Sequence, residues 1–148
     1  MKLPGHEAIN AYTGFLLRKV SLASFEGFSE IAASYGLHPM HFGMLNIIEA
    51  EQPISQQDLS NRSGIDPSTM VARMDLLYDR GLVERKRSAE DRRSYEIRLS
   101  PSGRKLLIEL RQRAGEWAEQ FFAPLTKAER KQLHELLAKL AASIDSEP

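Results

Sequence analysis

The chain has 148 residues, of which 42% are apolar and 27% charged, and its formal net charge at pH 7 is zero. This composition is typical of a globular protein of one or two small domains. The sequence has no run of about 18 apolar residues, so no transmembrane helix is predicted. The chain has no cysteine, which excludes disulfides, thiolate zinc sites and cysteine-based redox sensing within it.

The start of the chain, M-K-L-P-G-H-E, lacks the apolar core of a signal peptide. We therefore expect a cytoplasmic protein with no membrane partner. Residues 6–35 are predicted to form one long helix, bent near Gly27, which Gly36 ends. Its apolar stripe contains Ile9, Tyr12, Leu16, Val20 and Ala23, widened by Phe15, Leu22 and Phe25. So wide an apolar face requires a partner.

A second helix is predicted over residues 40–51, with Phe42, Met44, Leu45 and Ile48 as its apolar set. His38 and His41 flank its start at a spacing that would let them share a metal ion. No carboxylate or cysteine lies near them in sequence, and metal sites usually have three or more protein ligands. We therefore predict no metal site and no cofactor.

Two short helices joined by a tight turn come next. Ser55 is the expected N-cap of the first, over residues 56–62, and Asp58 makes a variant capping box with it. Gly64 and Ile65 form the turn. A short turn between two helices is the helix-turn-helix pattern.

The second of these helices is predicted over residues 67–80, with Asp66 as N-cap, Pro67 at its first position and Gly81 as its left-handed stop. Residues at helical spacing are expected to pack inward: Met70, Val71, Met74, Leu77 and Tyr78. Four residues near the N-terminus are left facing outward: Ser68, Thr69, Ala72 and Arg73. In a helix-turn-helix this end meets base edges in the major groove, so all four are predicted DNA-binding residues, with base readout by Ser68, Thr69 and Arg73. A phosphate contact, or an ion pair with an acid such as Asp75, is the alternative for Arg73.

After Gly81 the periodicity changes, and residues 82–87 and 95–99 are predicted to form two strands joined by a charged tip, residues 88–94. A helix-turn-helix followed by such a hairpin is a winged helix. Between Arg85 and Lys105 there are eight basic and three acidic residues, a local charge of +5 in a neutral chain. This distribution favours a localised phosphate contact, although a solvated charged hairpin is the plain alternative.

The last two helices are predicted over residues 101–122 and from Thr126 onward. Ser100-Pro101 starts the first of them, and Thr126 with Glu129 makes a capping box for the second. The first has a near-heptad seam of Leu106, Leu110, Ala114, Trp117 and Phe121. The core face of the second contains Leu133, Leu136, Leu137, Leu140 and Ile144. Intramolecular packing accounts for part of this apolar surface, and we favour a two-fold dimer for the rest.

Two motifs give the chain a specific resemblance. The run D-R-R-x-x-x-x-x-L-S-x-x-G from Asp91 to Gly103, and S-T-M-V-A…L…R-G-L-V-E-R from Ser68 to Arg85, resemble the wing and recognition helix of the MarR family of bacterial transcription regulators. Many relatives have arginine where this chain has Ala72 and an apolar residue where it has Arg73, so their base readout cannot be transferred.

The resemblance implies a mainly α protein with a small β-wing (α+β). A winged helix-turn-helix lobe over residues 37–100 would be flanked by dimerisation helices in residues 1–36 and 101–148, and Ile54 would add a third short strand to the wing. The partners implied are a second copy of the chain and a palindromic double-stranded DNA operator. In the wing, Asp91 is expected to orient Arg93 through a charge-assisted hydrogen bond, with Arg92 beside it.

The family also responds to small aromatic or lipophilic anions, bound between the dimer helices and the DNA-binding lobe. The residues expected there are Tyr12, Phe15, Arg18, His41, Met44 and Arg111. No Gly-rich phosphate loop and no nucleophile elbow is present, so an enzyme is not expected. A ligand-responsive repressor is the first hypothesis. A ligand-independent architectural DNA-binding module and a winged helix used for protein contacts are the alternatives.

Overall fold

The computed structural model describes residues 7–145, which form seven helices and two strands. In chain order these are α1 (Glu7–Asn10), α2 (Thr13–Ser34), α3 (Pro39–Glu51), α4 (Gln56–Ser63), α5 (Pro67–Asp79), β1 (Val83–Arg87), β2 (Tyr95–Leu99), α6 (Pro101–Phe121) and α7 (Lys127–Asp145). The predicted mainly helical architecture with a small β-wing is confirmed. The described residues form two compact units that divide within α6, between Ala114 and Gly115.

The prediction of one long first helix is wrong at its N-terminal end. The helix breaks at Ala11 and Tyr12, and α2 then runs unbroken past Gly27. Tyr12 has an extended backbone (φ −104°, ψ 122°) and becomes a new N-cap without a side-chain cap bond. Thr13 and Gly14 follow it, and both residue types are weak helix formers. The predicted start at His6 lies outside the described residues.

The predicted N-caps are confirmed. Ser55 Oγ accepts from the Asp58 N–H at 3.0 Å, and Asp66 Oδ1 accepts from the Thr69 N–H at 3.0 Å. Each oxygen satisfies one of the N–H groups that a helix start leaves without an intrahelical partner. The capping box of α4 differs in detail, because the Asp58 carboxylate accepts from the Ser55 hydroxyl (2.9 Å). The box of Thr126 and Glu129 at α7 is complete in both directions.

Three glycines at helix ends adopt the left-handed region, which was predicted for Gly81, while Gly36 was predicted as a helix end and Gly64 as part of a tight turn. Gly36, Gly64 and Gly81 have φ values of 68°, 68° and 64°. A side chain at such a φ would strain the backbone. These stops separate α2 from α3, α4 from α5, and α5 from the wing.

The wing is an antiparallel pair in which Val83 lies opposite Leu99 and Arg87 lies opposite Tyr95. The predicted third strand is only an isolated bridge, in which Ile54 and Ile97 exchange backbone hydrogen bonds of 3.2 and 2.8 Å. A single bridged residue is sufficient to attach the segment between α3 and α4 to β2.

The core of the first unit lies between α3, α4, α5, the wing and the start of α6. Its fully buried side chains are Met44, Leu45, Ile48, Leu59, Met70, Met74, Leu77, Ile97, Leu107, Leu110 and His41. On α6 the deepest residue near the start is Leu107, whereas the predicted seam residue Leu106 is only partly buried. The predicted seam residue Leu110 is fully buried, so the difference from the prediction is that Leu107 takes the core position expected for Leu106.

In the second unit, Trp117 stacks on Phe121 (4.8 Å between centroids) and Phe121 contacts Phe122 edge-on (4.9 Å). Arg130 holds the turn between the helices, since its guanidinium contacts Glu119 at 2.7 Å and the Phe122 carbonyl at 3.0 Å. The predicted core face of α7 is not buried in this single chain. Exposed residues on it include Leu136, Leu137, Leu140 and Ile144.

Helix α2 also has an uncovered apolar face. The exposed residues on it are Phe15, Leu16, Leu17, Val20 and Phe25, and Tyr12 is exposed just before its start. Among residues 7–145, no helix combines the length and apolarity needed to cross a membrane.

Candidate nucleic-acid interface

The start of α5 is organised by Asp66. Its Oδ1 atom accepts from the Ser68 hydroxyl at 2.6 Å and from the Thr69 N–H at 3.0 Å. These hydrogen bonds, the one from Ser68 first, hold the pKa of the Asp66 carboxyl well below its usual range. Ser68 is exposed and Thr69 is half-buried. The cap thus fixes the two hydroxyl residues at the end of the helix that a helix-turn-helix presents to DNA.

The predicted inward position of Val71 is wrong. Met70, Met74 and Leu77 form the buried face of α5, whereas Val71 is 51% exposed. Consecutive helical residues are about 100° apart, so a residue next to Met70 points away from the core. Ala72, which was predicted to face outward, is exposed. The outer face of α5 therefore presents Val71 and Ala72 together.

Arg73 is half-buried, so the expectation that it faces fully outward is not met. Its guanidinium is close enough to His38 and His41 to lower the pKa of both imidazoles, although burial is the larger cause for each. Both histidines lie at the start of α3. Arg73 therefore occupies the flank of α5 that faces α3.

His38 and His41 cap the start of α3. His38 Nδ1 accepts from the Met40 N–H at 3.1 Å, and His41 Nδ1 accepts from the His38 N–H at 2.9 Å. His41 is 1% exposed, and its Nε2 has no hydrogen-bond partner among the described residues. Within the same residues, no three His, Cys, Asp or Glu side chains are grouped as metal ligands. An His-Pro-x-His start was the sequence signal for this cap.

The wing tip is shaped by Asp91. Its carboxylate accepts from the Arg93 backbone N–H at 2.9 Å, and its carbonyl accepts from the Ser94 N–H at 3.0 Å. The predicted charge-assisted bond from the Arg93 guanidinium is replaced by this bond from the Arg93 backbone N–H. Arg92 and Arg93 are exposed. Asp91 therefore sets the path of the turn, which leaves both guanidinium groups accessible.

Arg85 and Arg87 on β1 form a cluster with tyrosine rings that sequence reasoning missed. The Arg85 guanidinium lies 5.4 Å from the ring centroid of Tyr78 and 4.7 Å from that of Tyr95, and Arg87 lies 5.9 Å from the Tyr95 ring. Such distances allow cation–π attraction. A groove of about 230 Å³ adjoins the cluster and is lined by Ser55, Gln56, Gln57, Tyr78, Arg85, Ser94, Tyr95 and Ile97. The strand register of the wing brings Arg85 and Arg87 to Tyr95, and this register could not be predicted from the sequence.

The six residues expected to bind a small effector are not brought together. Met44 and His41 are buried in the core. Arg111 is engaged by Glu49 Oε2 at 2.6 Å and by Asn46 Oδ1 at 2.7 Å. The remaining three, Tyr12, Phe15 and Arg18, are exposed at the start of α2, where the two rings make an edge contact at 6.3 Å.

The L-S-x-x-G part of the wing motif is a structural junction. Ser100 Oγ donates to the Gly81 carbonyl at 2.5 Å and accepts from the Gly103 N–H at 2.9 Å. A Cβ at Gly103 would lie 1.9 Å from the Leu82 carbonyl oxygen. The motif therefore connects the end of α5, the wing and α6 through one hydroxyl and one obligatory glycine.

A capped helix pair followed by an arginine-bearing antiparallel hairpin defines a winged helix-turn-helix protein, a class that binds duplex DNA. The MarR family model matches residues 35–94. A candidate transcriptional regulatory protein for the hcr operon of Thauera aromatica is 32% identical over 91% of this chain and 82% of its own length. The chain belongs to the MarR family of transcription regulators, which are not enzymes.

Two solved structures share the fold and 30% sequence identity. The transcriptional repressor CouR, bound to a 23-mer DNA duplex, has a TM-score of 0.83 with this chain. The similarity covers 95% of this chain and 99% of CouR. A probable transcriptional regulator from Pseudomonas aeruginosa has a TM-score of 0.77 and covers 88% of this chain and 98% of its own.

Proposed function

We propose that this regulator acts as a homodimeric repressor that binds a palindromic operator through α5 and the wing tip. The observation that carries the proposal is the exposed pair Arg92 and Arg93 on a tip whose backbone Asp91 holds in place. A preformed turn presents its cations to phosphates or a minor groove without an ordering cost. CouR, a repressor solved on duplex DNA, supports the same use of the fold.

In this proposal the exposed start of α5 enters the major groove. Ser68, Thr69 and Ala72 face base edges, and Asp91, Arg92 and Arg93 serve the adjacent minor groove. Arg73 approaches DNA from the α3 flank of α5, so a phosphate contact suits its position better than a base edge. The DNA-binding lobe corresponds to residues 37–100.

The second copy of the chain would cover the apolar faces of α2 and α7, in residues 1–36 and 101–148. The large apolar side chains exposed on these faces range from 40% exposed, at Leu137, to 72% exposed, at Ile144. Contiguous apolar surface of this kind marks an interaction site, and a two-fold dimer would match a palindrome. Sedimentation equilibrium should give twice 16.7 kDa at micromolar concentration. A fully helical monomer would contradict the dimer.

The effector would be a small aromatic or lipophilic anion that shifts the dimer away from the DNA-binding spacing. Phe15 and Arg18 lie three residues apart in the first turns of α2, and the ring of Tyr12, just before the helix, contacts Phe15 edge-on. The two rings can cover an aromatic ring, and the Arg18 guanidinium can pair with a carboxylate. An anion at Arg111 would first have to displace Glu49.

Identifying the operator and measuring its affinity tests the proposed function. Selection of duplexes from random DNA by the full chain should yield a palindrome, and its affinity should fall with salt by a slope of about −0.9 per phosphate neutralised. A double variant, Arg92→Ala with Arg93→Ala, should weaken binding and flatten this slope. Lys131→Ala is the matched control, because Lys131 is an exposed cation on α7. If the wing variant and the control bind equally, the wing does not contact DNA.

A further inference from the structure

Val71 is a large apolar side chain in an unexpected position. It is 51% exposed on the outer face of α5, between the exposed residues Ser68 and Asp75, which lie one turn to either side of it. Met70, Met74 and Leu77 already supply the core contacts of the helix. Valine is also a weaker helix former than alanine or leucine. An exposed valine at this position therefore contributes little to the stability of either the helix or the core.

The polar groups around Val71 are largely engaged elsewhere. The Ser68 hydroxyl donates to Asp66 at 2.6 Å, and Arg73 lies on the flank that faces His38 and His41. The centre of the outer face consequently presents methyl groups, from Val71 and its neighbour Ala72, and no long hydrogen-bond donor. Such a face is suited to apolar contact with a base edge.

A groove beside Val71 continues this surface toward α4. It has a volume of about 170 Å³ and is lined by Gln56, Gln57, Ser60, Pro67, Met70 and Val71. Its lining combines apolar side chains of α5 with the amide side chains of Gln56 and Gln57 at the start of α4. The groove is continuous with the face that the proposed function places in the major groove.

In the major groove, the apolar group that distinguishes one base from the others is the C5-methyl of thymine. We infer that Val71 is a specificity-determining residue that contacts this methyl group of one thymine in each operator half-site. The inference rests on the proposed function and specifies the base that α5 reads. Cytosine and uracil at that position lack the methyl, whereas 5-methylcytosine retains it.

The experiment uses the full chain and the operator selected from random DNA. Each thymine is replaced in turn by deoxyuridine, which removes only the methyl group. For wild type, replacing the contacted thymine of one half-site should lower the affinity about three- to fivefold, as expected for the loss of one buried methyl group. The symmetry-related thymine of the other half-site should give the same loss. Val71→Ala should bind the thymine and deoxyuridine operators equally at that position and keep discrimination elsewhere.

Two controls isolate the contact. Ser68→Ala, on the same face, should retain the wild-type preference for thymine over deoxyuridine. A cytosine at the position should bind more tightly when it is 5-methylated, for wild type but not for Val71→Ala. Because Val71 is exposed and alanine favours helices, the variant should fold, which circular dichroism checks.

The outcomes separate this inference from the proposed function. Tight operator binding with no deoxyuridine effect, or with an effect that Val71→Ala retains, overturns the Val71 contact and leaves the DNA-binding function standing. Failure of the chain to select any duplex overturns both.

Discussion

Gly103 lies directly against the Leu82 backbone, so that a Cβ at position 103 would approach the Leu82 carbonyl oxygen to 1.9 Å. Since Leu82 precedes the wing and Gly103 is in the first turn of α6, this contact sets how closely the two elements approach. The same carbonyl oxygen accepts from the Ser100 N–H at 3.1 Å. A larger residue would have to separate them and break this bond.

Gly103→Ala should therefore destabilise the protein by about 1–3 kcal/mol, the usual effect of overpacking. Gly115 is the matched control, since it also lies in α6 and a Cβ there would have no neighbour within 4 Å. Gly115→Ala should stabilise by about 0.5–1 kcal/mol through helix propensity. Urea unfolding of both variants measures the difference. Equal stabilities would show that the Leu82 contact yields readily.

His41 should make stability depend on pH. Burial, and then the Arg73 charge, lower the pKa of folded His41 from 6.5. Below pH 6.5 the unfolded chain binds a proton that the folded state does not, so the free energy of unfolding should fall as the pH drops toward the lowered value. His38, whose pKa is also lowered, acts in the same direction.

Substitution His41→Asn tests this, because an asparagine oxygen can replace the Nδ1 acceptor without titrating. Urea unfolding between pH 8 and pH 5 should show a shallower loss of stability in the variant than in wild type. The exposed residue His134 provides the control His134→Asn, which should follow wild type. A variant that loses stability as steeply as wild type would contradict the role of His41.

Arg93→Ala removes one charge-assisted contact from each half of the proposed dimer, so binding to all operators should weaken about a hundredfold, at roughly 1.5 kcal/mol per contact. The salt slope should fall by about two. Asp91→Ala should also weaken binding, because the turn loses its 2.9 Å bond to the Arg93 N–H. Its salt slope should stay near that of wild type, since both arginines remain. Fluorescence anisotropy at several salt concentrations distinguishes the two. Wild-type affinity in both variants would remove the wing from the interface.

Arg73→Ala should weaken binding uniformly across operator sequences if Arg73 contacts a phosphate from the α3 flank. A base contact would instead cost about 1–3 kcal/mol and relax specificity at one position. Affinities for the selected operator and its single-base variants, measured side by side, decide between them. Position-specific relaxation would overturn the phosphate assignment.

DNA binding should respond to small aromatic carboxylates and not to peroxide. The chain has no cysteine, so sulfenic acid and disulfide switches are chemically unavailable. Operator release by a carboxylate should weaken in Arg18→Ala, and Lys19→Ala on the same helix is the control. Release by peroxide at concentrations that leave methionine intact would refute this chemistry, and indifference to every anion would favour a ligand-independent module.

The local features of this protein were predictable from sequence. The caps at Ser55, Asp66 and Thr126 and the stops at Gly36, Gly64 and Gly81 depend on residues a few positions apart. Their chemistry is complete within one turn of backbone. The wing motif from Asp91 to Gly103 similarly combines a short turn, two strands and a close glycine contact, which is why it identified the family.

The tertiary structure decided how side chains separated in sequence meet. It turned Val71 outward, placed Arg73 beside His38 and His41, inserted Arg85 between two tyrosines and paired Arg111 with Glu49. Each outcome depends on the rotation of a helix about its axis or on strand register, and both are set by packing of the whole core. Hydrophobic periodicity locates a buried face only to within about one residue, or 100° of helix, and that step separates a core valine from an exposed one.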